Sequence, residues 1–579
     1  MSIFYSDEKN VQMVIALMKA HGIKKVVASP GGTNVSFVAS IQNDSDFEVY
    51  SSIDERSAAY IACGLAEESG EPVVLSCTGA TASRNYMPGL TEAFYRKLPI
   101  LVITSSQPNG RIGHNVPQVT DRTVMLNDIY RVSVQIPIIN SAEDEWSSQV
   151  MMNNAMLELR RDGGGPAHIN LMTTYSANFD VKTLPDVKVI KRVQLWENMP
   201  AIDKKKVAIF VGAHSKWSDE LTAAVDEFCE KYNAVVLCDH TSNYHGKYRV
   251  LASLILKQES VESPLSRIDL LIHLGNISGA YFRMYPKEVW RVDIDGEIRD
   301  TFKKLTYVFE MRELDFFRKY NDMTSTCIEN TNIVEWNEKY NELCASISDM
   351  PFSNVWIAKN TIGRLPEGSV LHLGILNSLR SWNFFEAPDS VLGYCNTGGF
   401  GIDGIVSSLI GAALVNPDRL YFGVVGDLGF FYDINSLGNR HISNNVRLII
   451  VNNGIGTEFK HYNAIGGRIG NEVDSYIAAA GHYGNKSRNL VKHYAEDLGF
   501  EYLSATNKDE YISVVEKFIN PAMGDKSIIL EVFTTAEDES AALRVVENID
   551  TSATSVAKDM VKGMLGTKGI NVVRKIIGK

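Results

Sequence analysis

Short apolar runs alternate with stretches of helical periodicity along most of this chain, and this alternation constrains the fold more than any other feature. The runs lie at residues 26–29, 73–76, 100–103, 167–171, 207–211, 234–237, 270–274, 289–294, 421–425 and 446–451. Apolar strands separated by helices are typical of parallel sheets that are covered on both faces. The predicted fold class is therefore α/β, with doubly wound parallel sheets.

Length and polar linkers divide the chain into three predicted domains and a tail. A chain of 579 residues and 64.3 kDa is too long for one hydrophobic core. Charged segments near 184–186 and 203–206 separate the first run of strands from the second, and a polar helical stretch at 336–349 precedes the third. We predict domains at 1–182, 190–345 (Rossmann-like) and 355–545, followed by a basic tail at 546–579.

The tail combines basic residues with apolar side chains, and two interpretations of it are open. One is an amphipathic helix that lies on a membrane surface. The other is a segment that docks over the body of the protein or over a subunit seam. Gly563, Gly566 and Gly569 interrupt the periodicity and disfavour one continuous helix.

The composition is typical of a soluble globular protein. A net charge of -12 and a pI near 5.6 disfavour a nucleic-acid partner, which requires a basic surface. No apolar run approaches the roughly 20 residues of a membrane span. Residues 1–8 lack the basic and apolar regions of a signal peptide. We expect a cytoplasmic protein.

The seven cysteines are scattered without a Cys-x-x-Cys pair. This distribution is typical of reduced, buried thiols and not of a disulfide framework or a zinc site. A catalytic thiol is the alternative, with Cys77 and Cys395 as candidates because both lie beside the motifs described below. Neither has a neighbouring histidine in the sequence that would lower its pKa.

Oxygen-bearing side chains follow two apolar runs in the third predicted domain. Asp427 comes directly after the run at 421–425, and Asn453 follows the run at 446–451. Because parallel neighbours joined by a helical crossover bring their carboxyl ends to the same sheet edge, we expect these residues to lie close together. A carboxylate, an amide oxygen and a main-chain carbonyl are ligands that a hard dication bridging a diphosphate prefers. A Rossmann-like turn with an incidental aspartate is the alternative.

Gly426-Asp427-Leu428, followed at the matching spacing by Asn452-Asn453-Gly454, resembles the signature of the thiamine diphosphate (ThDP) enzymes. The longer string at 426–435 is similar to the menaquinone-pathway branch of that family, which uses Gly-Asp-Leu. The resemblance implies that Asp427, Asn453 and the carbonyl of Ile455 ligate Mg²⁺. It also implies that Gly426 and Leu428 contact the cofactor.

Residues 54–66 resemble the family segment that carries the catalytic glutamate, which here is Glu55. The resemblance implies that Glu55 hydrogen-bonds N1′ of the aminopyrimidine. A carboxyl group at this position favours the imino tautomer, whose nitrogen acts as an internal base. A surface carboxylate that caps a helix is the alternative.

Two further segments resemble cofactor-binding loops of the family. Residues 77–85 are similar to a small, hydroxylated loop near the pyrimidine and the substrate, which implies roles for Thr78, Gly79 and Asn85. Residues 396–404 are rich in glycine, which lets main chain approach a cofactor closely, as expected at Gly399. Ile402 occupies the position of an aliphatic wedge beneath the cofactor. Core packing is the alternative for Ile402.

Gln118 and His114 are the remaining catalytic candidates. Gln118 matches a glutamine of acetolactate-synthase-like members, and His114 is a candidate proton shuttle or a surface histidine. Simple decarboxylases of the family resemble one another in a His-His pair here, whereas this chain has one imidazole. We therefore predict a decarboxylating carboligase, with a simple 2-oxo acid decarboxylase as the alternative.

The resemblance to the menaquinone-pathway branch is strongest over residues 25–120 and 370–460. That branch condenses 2-oxoglutarate with isochorismate, and arginines suit the recognition of such carboxylates. Thr33, Gln107 and Thr397 stand where the branch has motif arginines, and only Arg380 lies near another family arginine. We therefore predict a smaller donor, pyruvate, and a neutral or sugar-like carbonyl acceptor.

The family geometry implies a homodimer or homotetramer whose active sites lie at the subunit interface. The middle domain resembles the domain that carries FAD in acetolactate synthases, which leaves FAD open as an alternative, but FAD is not predicted because residues 211–215 lack a strong dinucleotide loop. The same absence disfavours an NAD-type oxidoreductase. A non-catalytic ThDP-binding protein is a further alternative, which the presence of both Glu55 and Asp427 disfavours.

Overall fold

A computed structural model of the chain describes residues 4–280, 283–481 and 486–550. Within these ranges the chain forms three parallel sheets of six, seven and six strands. The predicted α/β class with three parallel-sheet domains is therefore confirmed, whereas the domain boundaries stay predictions. Residues 551–579 of the predicted tail lie outside the described residues, and both interpretations of the tail stay open.

The strands and helices are numbered along the described residues. The strands are β1 (Lys25–Ala28), β2 (Glu48–Ser51), β3 (Val73–Thr78), β4 (Ile100–Ser106), β5 (Val132–Ile136), β6 (Ala167–Met172), β7 (Lys191–Gln194), β8 (Val207–Val211), β9 (Ala234–Cys238), β10 (Arg249–Leu251), β11 (Leu270–Leu274), β12 (Glu288–Val292), β13 (Leu305–Glu310), β14 (Val370–Leu373), β15 (Leu392–Tyr394), β16 (Tyr421–Gly426), β17 (Val446–Asn452), β18 (Glu501–Ala505) and β19 (Ile528–Phe533). The helices are α1 (Lys9–Ala20), α2 (Val35–Ile41), α3 (Glu55–Ser69), α4 (Thr81–Asn85), α5 (Met87–Tyr95), α6 (Ala142–Glu158), α7 (Asp219–Tyr232), α8 (Ser253–Leu256), α9 (Glu313–Met323), α10 (Thr331–Ser346), α11 (Asn354–Thr361), α12 (Asn377–Trp382), α13 (Ile405–Ala413), α14 (Asp427–Tyr432), α15 (Ile465–Ile469), α16 (Leu490–Asp497), α17 (Lys508–Phe518) and α18 (Ala536–Glu547).

The chain divides into two compact units. The first comprises the described residues up to Gln194 together with Gly296–Glu310, and the second comprises Leu195–Asp295 and the described residues from Met311 onward. In the first unit, one parallel sheet has the strand order β2-β1-β3-β4-β6-β5, and β7 pairs with β13. The strand order reverses between β1 and β3, so this sheet has its topological switch point there, where open α/β folds bind ligands.

The second unit contains the parallel strands β10-β9-β8-β11-β12 and a sheet with the order β15-β14-β16-β17-β19-β18. The order of the latter sheet reverses between β14 and β16, which places its switch point beside the carboxyl end of β16. Strands β3, β4, β16 and β17 are almost entirely buried, as their apolar runs predict. In the described part of the chain, no helix combines the length and the apolar character needed to cross a membrane.

Candidate functional site

Asp427 lies at the carboxyl end of β16, next to the end of its neighbour β17. The two strands run parallel, with Gly426 opposite Val451, so the residues that follow them emerge at the same edge of the sheet. There the Oδ2 atom of Asp427 accepts a hydrogen bond of 2.8 Å from the main-chain N–H of Gly454. The structure thus brings Asp427 to the segment that carries Asn453 and Ile455.

The segment after β17 makes a tight turn that presents oxygen atoms. Gly454 has a φ angle of +70°, a left-handed conformation that glycine adopts without steric cost. The N–H of Ile455 donates to Oδ1 of Asn453 at 3.4 Å, and the hydroxyl of Thr457 donates to the carbonyl of Ile455 at 3.4 Å. A carboxylate, an amide oxygen and a main-chain carbonyl are thus available together, a donor set that fits Mg²⁺.

The electrostatics of Asp427 also fit a metal ligand. The residue is 3% exposed, and burial raises the pKa of its carboxyl to about 6, against the opposing effect of main-chain N–H donors at Leu428 and Gly454. A dication near a buried carboxylate favours its ionised form. Among the described residues, no group of three or more His, Cys, Asp and Glu side chains could hold a metal, so a cation here would depend on amide, carbonyl and phosphate oxygens.

The glycine-rich loop at 396–404 is closed by side-chain hydrogen bonds. Asn396 Nδ2 donates to the carbonyl of Gly404 at 3.2 Å, and Ser408 Oγ donates to Asn396 Oδ1 at 3.1 Å. The loop also lies against α14, because a Cβ placed on Gly429 would be 3.3 Å from the carbonyl oxygen of Ile402. The Ile402 side chain is half-buried, so its role as a wedge stays a prediction.

Open space adjoins the main chain at Gly426, which precedes Asp427, and at two glycines of the loop at 396–404. A Cβ added to Gly398, Gly399 or Gly426 would meet no atom of the described residues within 4 Å. Glycine therefore leaves main chain uncovered where a diphosphate would approach, which fits the cofactor. Leu428 lies in the first turn of α14 and is half-buried, and its contact with the cofactor stays a prediction.

Glu55 is the first residue of α3. Its neighbour Asp54 caps the helix by accepting hydrogen bonds from the N–H groups of Arg56 and Ser57, so Glu55 is not needed as the cap. Asn85, at the end of α4, donates from Nδ2 to Glu55 Oε2 at 3.4 Å. The structure therefore brings together two of the predicted cofactor residues of the first unit.

Thr78 and Gly79 lie at the carboxyl end of β3, at the switch point of the first sheet. The N–H of Gly79 donates to the carbonyl of Ser105 at 2.7 Å. A Cβ on Gly79 would be 2.3 Å from Nη2 of Arg122, and a Cβ on Gly31 would be 2.2 Å from Oγ1 of Thr78. A side chain at either position would clash with these atoms, so both positions require glycine.

Gln118 and His114 lie on an exposed loop of the first unit. Gln118 has a φ angle of +62°, and Asn115 in the same loop has +55°. Such conformations are uncommon for residues other than glycine and cluster at functional sites. The catalytic roles of Gln118 and His114 stay predictions.

The two thiol candidates are poor nucleophiles. Burial raises the pKa of Cys77 to about 12, with a further contribution from the charge of Glu55. Burial also raises the pKa of Cys395 to about 12. Both remain protonated thiols near neutral pH, which disfavours the alternative of a catalytic thiolate.

The structure gives Arg380 a partner that sequence analysis missed. Its Nη1 and Nη2 atoms donate to Oε2 and Oε1 of Glu458 at 2.9 and 2.6 Å. Burial acts to raise the pKa of Glu458, but the Arg380 guanidinium outweighs it and holds that pKa below its ordinary value. No local sequence signal links these residues, which lie on separate elements.

Arg122 is a second residue that sequence analysis missed. It is 4% exposed, and its Nη1 and Nη2 atoms donate to Thr104 Oγ1 at 2.9 Å and to Asn170 Oδ1 at 2.6 Å. Its own segment gives no signal for burial, because its neighbours Asp121, Thr123 and Val124 are exposed.

The loops at the carboxyl edge of β8 and β11 pair with each other. The N–H of Gly212 donates to the carbonyl of Leu274 at 3.0 Å, and the N–H of Asn276 donates to the carbonyl of Ala213 at 2.8 Å. A Cβ on Gly212 would be only 1.9 Å from the carbonyl oxygen of Asn276. The close approach of these two loops therefore requires glycine at position 212.

Comparison with known proteins agrees with these observations. The sequence profile of the family described as "Thiamine pyrophosphate enzyme, N-terminal TPP binding domain" matches residues 9–125. This segment includes Glu55, Thr78, Gly79, Asn85, His114 and Gln118.

Several relatives match nearly the whole chain. Three of them are named 2-succinyl-5-enolpyruvyl-6-hydroxy-3-cyclohexene-1-carboxylate synthase. The protein from Phocaeicola vulgatus is 30% identical over 572 residues, and that from Bacteroides thetaiotaomicron is 30% identical over 567 residues. The protein from Flavobacterium psychrophilum is 28% identical over 576 residues. Each alignment covers 93% of this chain and 98% of the relative.

Proposed function

Because this chain belongs to the thiamine pyrophosphate enzyme family, we propose that it is a ThDP- and Mg²⁺-dependent decarboxylating carboligase. It transfers a two-carbon acyl unit from a 2-oxo acid to a carbonyl acceptor. The observation that carries this proposal is the hydrogen bond from Gly454 to Asp427, which places the carboxylate beside the turn at Asn453–Ile455. The carboxylate, amide and carbonyl oxygens of these residues would suit a divalent cation held together with a diphosphate.

The residues that hold the cofactor belong to two half-sites. Asp427, Asn453 and the carbonyl of Ile455 ligate Mg²⁺. The other contacts come from Gly399, Ile402, Gly426 and Leu428 at the diphosphate end and from Glu55, Thr78, Gly79 and Asn85 at the pyrimidine end. When bound, ThDP supplies a nucleophilic carbon that adds to the 2-oxo group and takes up the electrons released as CO₂ leaves.

The protein supplies proton control and positioning. Glu55 holds a proton at N1′ of the aminopyrimidine, and Asn85 orients its carboxyl group through the 3.4 Å hydrogen bond. Gln118 and His114 line the substrate pocket from the exposed loop. With one imidazole in that loop, we propose transfer to a second carbonyl in preference to protonation of the two-carbon unit.

Pyruvate is the proposed donor. The name shared by these relatives describes a product with succinyl and carboxylate groups, which carry negative charge. In this chain Thr33, Gln107 and Thr397 are uncharged at the motif positions described above, and Glu458 neutralises Arg380. A donor without a second carboxylate matches these positions.

The active unit is proposed to be a homodimer, in which the Glu55 half-site of one subunit lies against the Asp427 half-site of the other. A homotetramer would consist of two such dimers. Exposed apolar side chains on α3, α5 and nearby segments of the first unit support this proposal, because a large apolar surface on a subunit marks an interaction site. These side chains are Ile53, Tyr60, Ile61, Tyr95, Val124 and Leu126.

The direct test is to incubate the protein with ThDP, Mg²⁺ and pyruvate, with and without a panel of aldehyde and ketone acceptors. CO₂ release and products are measured for the wild type and for Glu55→Gln. A hydroxyketone whose formation requires Glu55 and an acceptor supports the carboligase. Acetaldehyde formed at the same rate without acceptor supports the decarboxylase instead, and tight ThDP binding without turnover of any 2-oxo acid supports a non-catalytic protein.

A further inference from the structure

Arg122 carries a buried guanidinium that donates only to neutral acceptors among the described residues. Besides Thr104 and Asn170, its Nη1 atom donates to Ser83 Oγ at 3.4 Å. Its Nε–H is buried and has no hydrogen-bond partner in the part of the chain that the structure describes. Among the described residues, no carboxylate forms an ion pair with Arg122. Because arginine stays charged in proteins, the first unit buries a positive charge without a counter-charge.

Arg192, another buried arginine of the same unit, shows the usual arrangement. Its side chain is 5% exposed and forms ion pairs with Glu158 at 3.0 Å and Glu310 at 3.7 Å. An uncompensated buried charge is strongly unfavourable, so a protein that has one generally uses it for a ligand or a switch. Arg122 therefore requires an explanation that Arg192 does not.

The guanidinium of Arg122 lies at the carboxyl edge of strands β3 and β4. The carbonyl of Ser105, at the end of β4, accepts hydrogen bonds from Thr33 Oγ1 at 2.5 Å and from the N–H of Gly79. The Arg122 guanidinium lies against Gly79 at the same edge of the sheet. Short helix α4 then joins Arg122 to the catalytic candidate, because Ser83 contacts Arg122 and Asn85 contacts Glu55.

Other polar groups at this edge also lack partners. Among the described residues, the buried hydroxyl oxygens of Thr78 and Thr120 have no hydrogen-bond partner. Thr78 ends β3 and precedes Gly79, against which the guanidinium lies, and Thr120 lies two residues before Arg122. Buried polar groups are normally hydrogen-bonded, so the unpaired Nε–H of Arg122 and these two hydroxyls favour an oxyanion ligand for the guanidinium.

We propose that Arg122 binds an anionic group, a carboxylate or a phosphate, on the carbonyl acceptor. This inference rests on the proposed function. A guanidinium paired with the carboxylate that leaves as CO₂ would stabilise the ground state more than the transition state and would slow the reaction. The anion bound by Arg122 is therefore one that the reaction keeps. Pyruvate has no such group, so the acceptor carries it.

This assignment changes the expectation for the acceptor. Thr33, Gln107 and Thr397 alone indicated a neutral acceptor, because they replace motif arginines. Arg122 lies outside those motifs and supplies a cation at the same sheet edge. An acceptor such as an aldehyde that bears a carboxylate or a phosphate satisfies both observations.

The test compares matched acceptors that differ in charge. Initial rates with pyruvate are measured for benzaldehyde against 4-carboxybenzaldehyde, and for glyceraldehyde against glyceraldehyde 3-phosphate. The wild type should prefer the anionic member of at least one pair by about tenfold or more in kcat/KM. In Arg122→Met this ratio should fall to about one, while Arg122→Lys, which keeps the charge, should retain part of it.

Arg192→Met is the matched control, because it also removes a buried arginine of the first unit. It should lower the melting temperature and leave the ratio of anionic to neutral acceptor unchanged. A ratio in Arg122→Met equal to that of the wild type would overturn the proposal. If the dependence on Arg122 appears with 2-oxoglutarate as donor and not with anionic acceptors, the assignment to the acceptor is wrong.

A binding measurement separates this inference from the proposed function. Calorimetric titration of the ThDP-free protein with oxalate and with inorganic phosphate should detect binding that Arg122→Met abolishes and Arg192→Met retains. Binding that depends on Arg122 in a protein without decarboxylase activity would support the anion site while rejecting the proposed function. Decarboxylation of pyruvate without any dependence on Arg122, in rates or in binding, would reject the anion site alone.

Discussion

The carboxylate of Asp427 accepts a hydrogen bond of 2.8 Å from the main-chain N–H of Gly454, although the two residues are 27 positions apart. The parallel pairing of β16 with β17 brings them together, and the left-handed turn at Gly454 directs the N–H toward the carboxylate. The side chain is thereby oriented at the sheet edge before any ligand arrives, which reduces the entropic cost of binding.

Asp427→Asn should weaken the binding of ThDP with Mg²⁺, because the amide keeps an acceptor for Gly454 but removes the negative charge. At about 100 times the dissociation constant, cofactor should stabilise the wild type by about 2.7 kcal/mol. The variant should gain less than about half of this under the same conditions. Thermal unfolding with and without ThDP and Mg²⁺ measures the difference.

Glu531→Gln is the control for Asp427→Asn. Glu531 is also a buried carboxylate of the same sheet, 1% exposed, and accepts hydrogen bonds from Asn452 and Tyr502. This variant should lose intrinsic stability but keep most of the gain from the cofactor, because Glu531 hydrogen-bonds Asn452 and reaches Asp427 only through its charge. Equal cofactor-induced gains in Asp427→Asn and the wild type would contradict the assignment of Asp427 as a metal ligand.

Glu55→Gln should slow the exchange of the C2 proton of bound ThDP by roughly 10²- to 10⁴-fold, the usual contribution of a positioned acid or base. Deuterium exchange followed by NMR after acid quench measures this rate without requiring a known substrate. Glu71→Gln is the control, since Glu71 is an exposed carboxylate of the same unit that pairs with Lys25. An exchange rate in Glu55→Gln within about twofold of the wild type would exclude the proposed role.

Ionisation of the buried carboxyl group of Glu539 should make the second unit less stable as the pH rises. The residue is 1% exposed, and burial raises the pKa of its carboxyl from 4.5 to about 7, with a smaller contribution from Asp538 and opposing hydrogen bonds from Asn354, Thr534 and Asn377. The folded state thus holds the proton more tightly than the unfolded chain. The stability present below pH 4.5 is lost as the pH rises through 7, by roughly 3 kcal/mol.

Glu539→Gln cannot ionise and should not show this loss. Between pH 5 and pH 8, its free energy of unfolding should therefore increase by roughly 2.5 kcal/mol relative to that of the wild type. Urea unfolding at both pH values measures this change, with Glu516→Gln, an exposed carboxylate paired with Arg364, as control. If wild type and Glu539→Gln respond to pH alike, Glu539 is not the group responsible.

Ile61→Glu should weaken self-association and activity together, because Ile61 lies on α3 among the exposed apolar residues of the proposed subunit interface. Ile61 is 45% exposed, and the control residue Ile512 on α17 is similarly exposed at 48%. Sedimentation velocity should show dissociation of Ile61→Glu at concentrations where Ile512→Glu remains assembled. A wild type that is monomeric with bound ThDP would reject the proposed dimer.

Much of the fold follows from local pattern. The run at 207–211 is the strand β8 as predicted, and the runs at 73–76 and 100–103 extend by a few residues into β3 and β4. Strand β2 escaped prediction because its side chains are mostly exposed and its polar sequence has no apolar run. It is a strand because β1 supplies its hydrogen-bond partners, which the local sequence does not encode.

The sequence by itself determined the α/β class and the positions of Asp427 and Asn453 after apolar strands. It also determined the resemblance of residues 54–66 to the family segment that carries the catalytic glutamate. These properties depend on residues that are neighbours in the chain, where periodicity and turn chemistry act. Only the tertiary structure decided that Arg380 is neutralised by Glu458 and that Arg122 is buried without a counter-charge from the described residues. Burial and charge pairing are set by which distant residues share a sheet edge, so local composition does not reveal them.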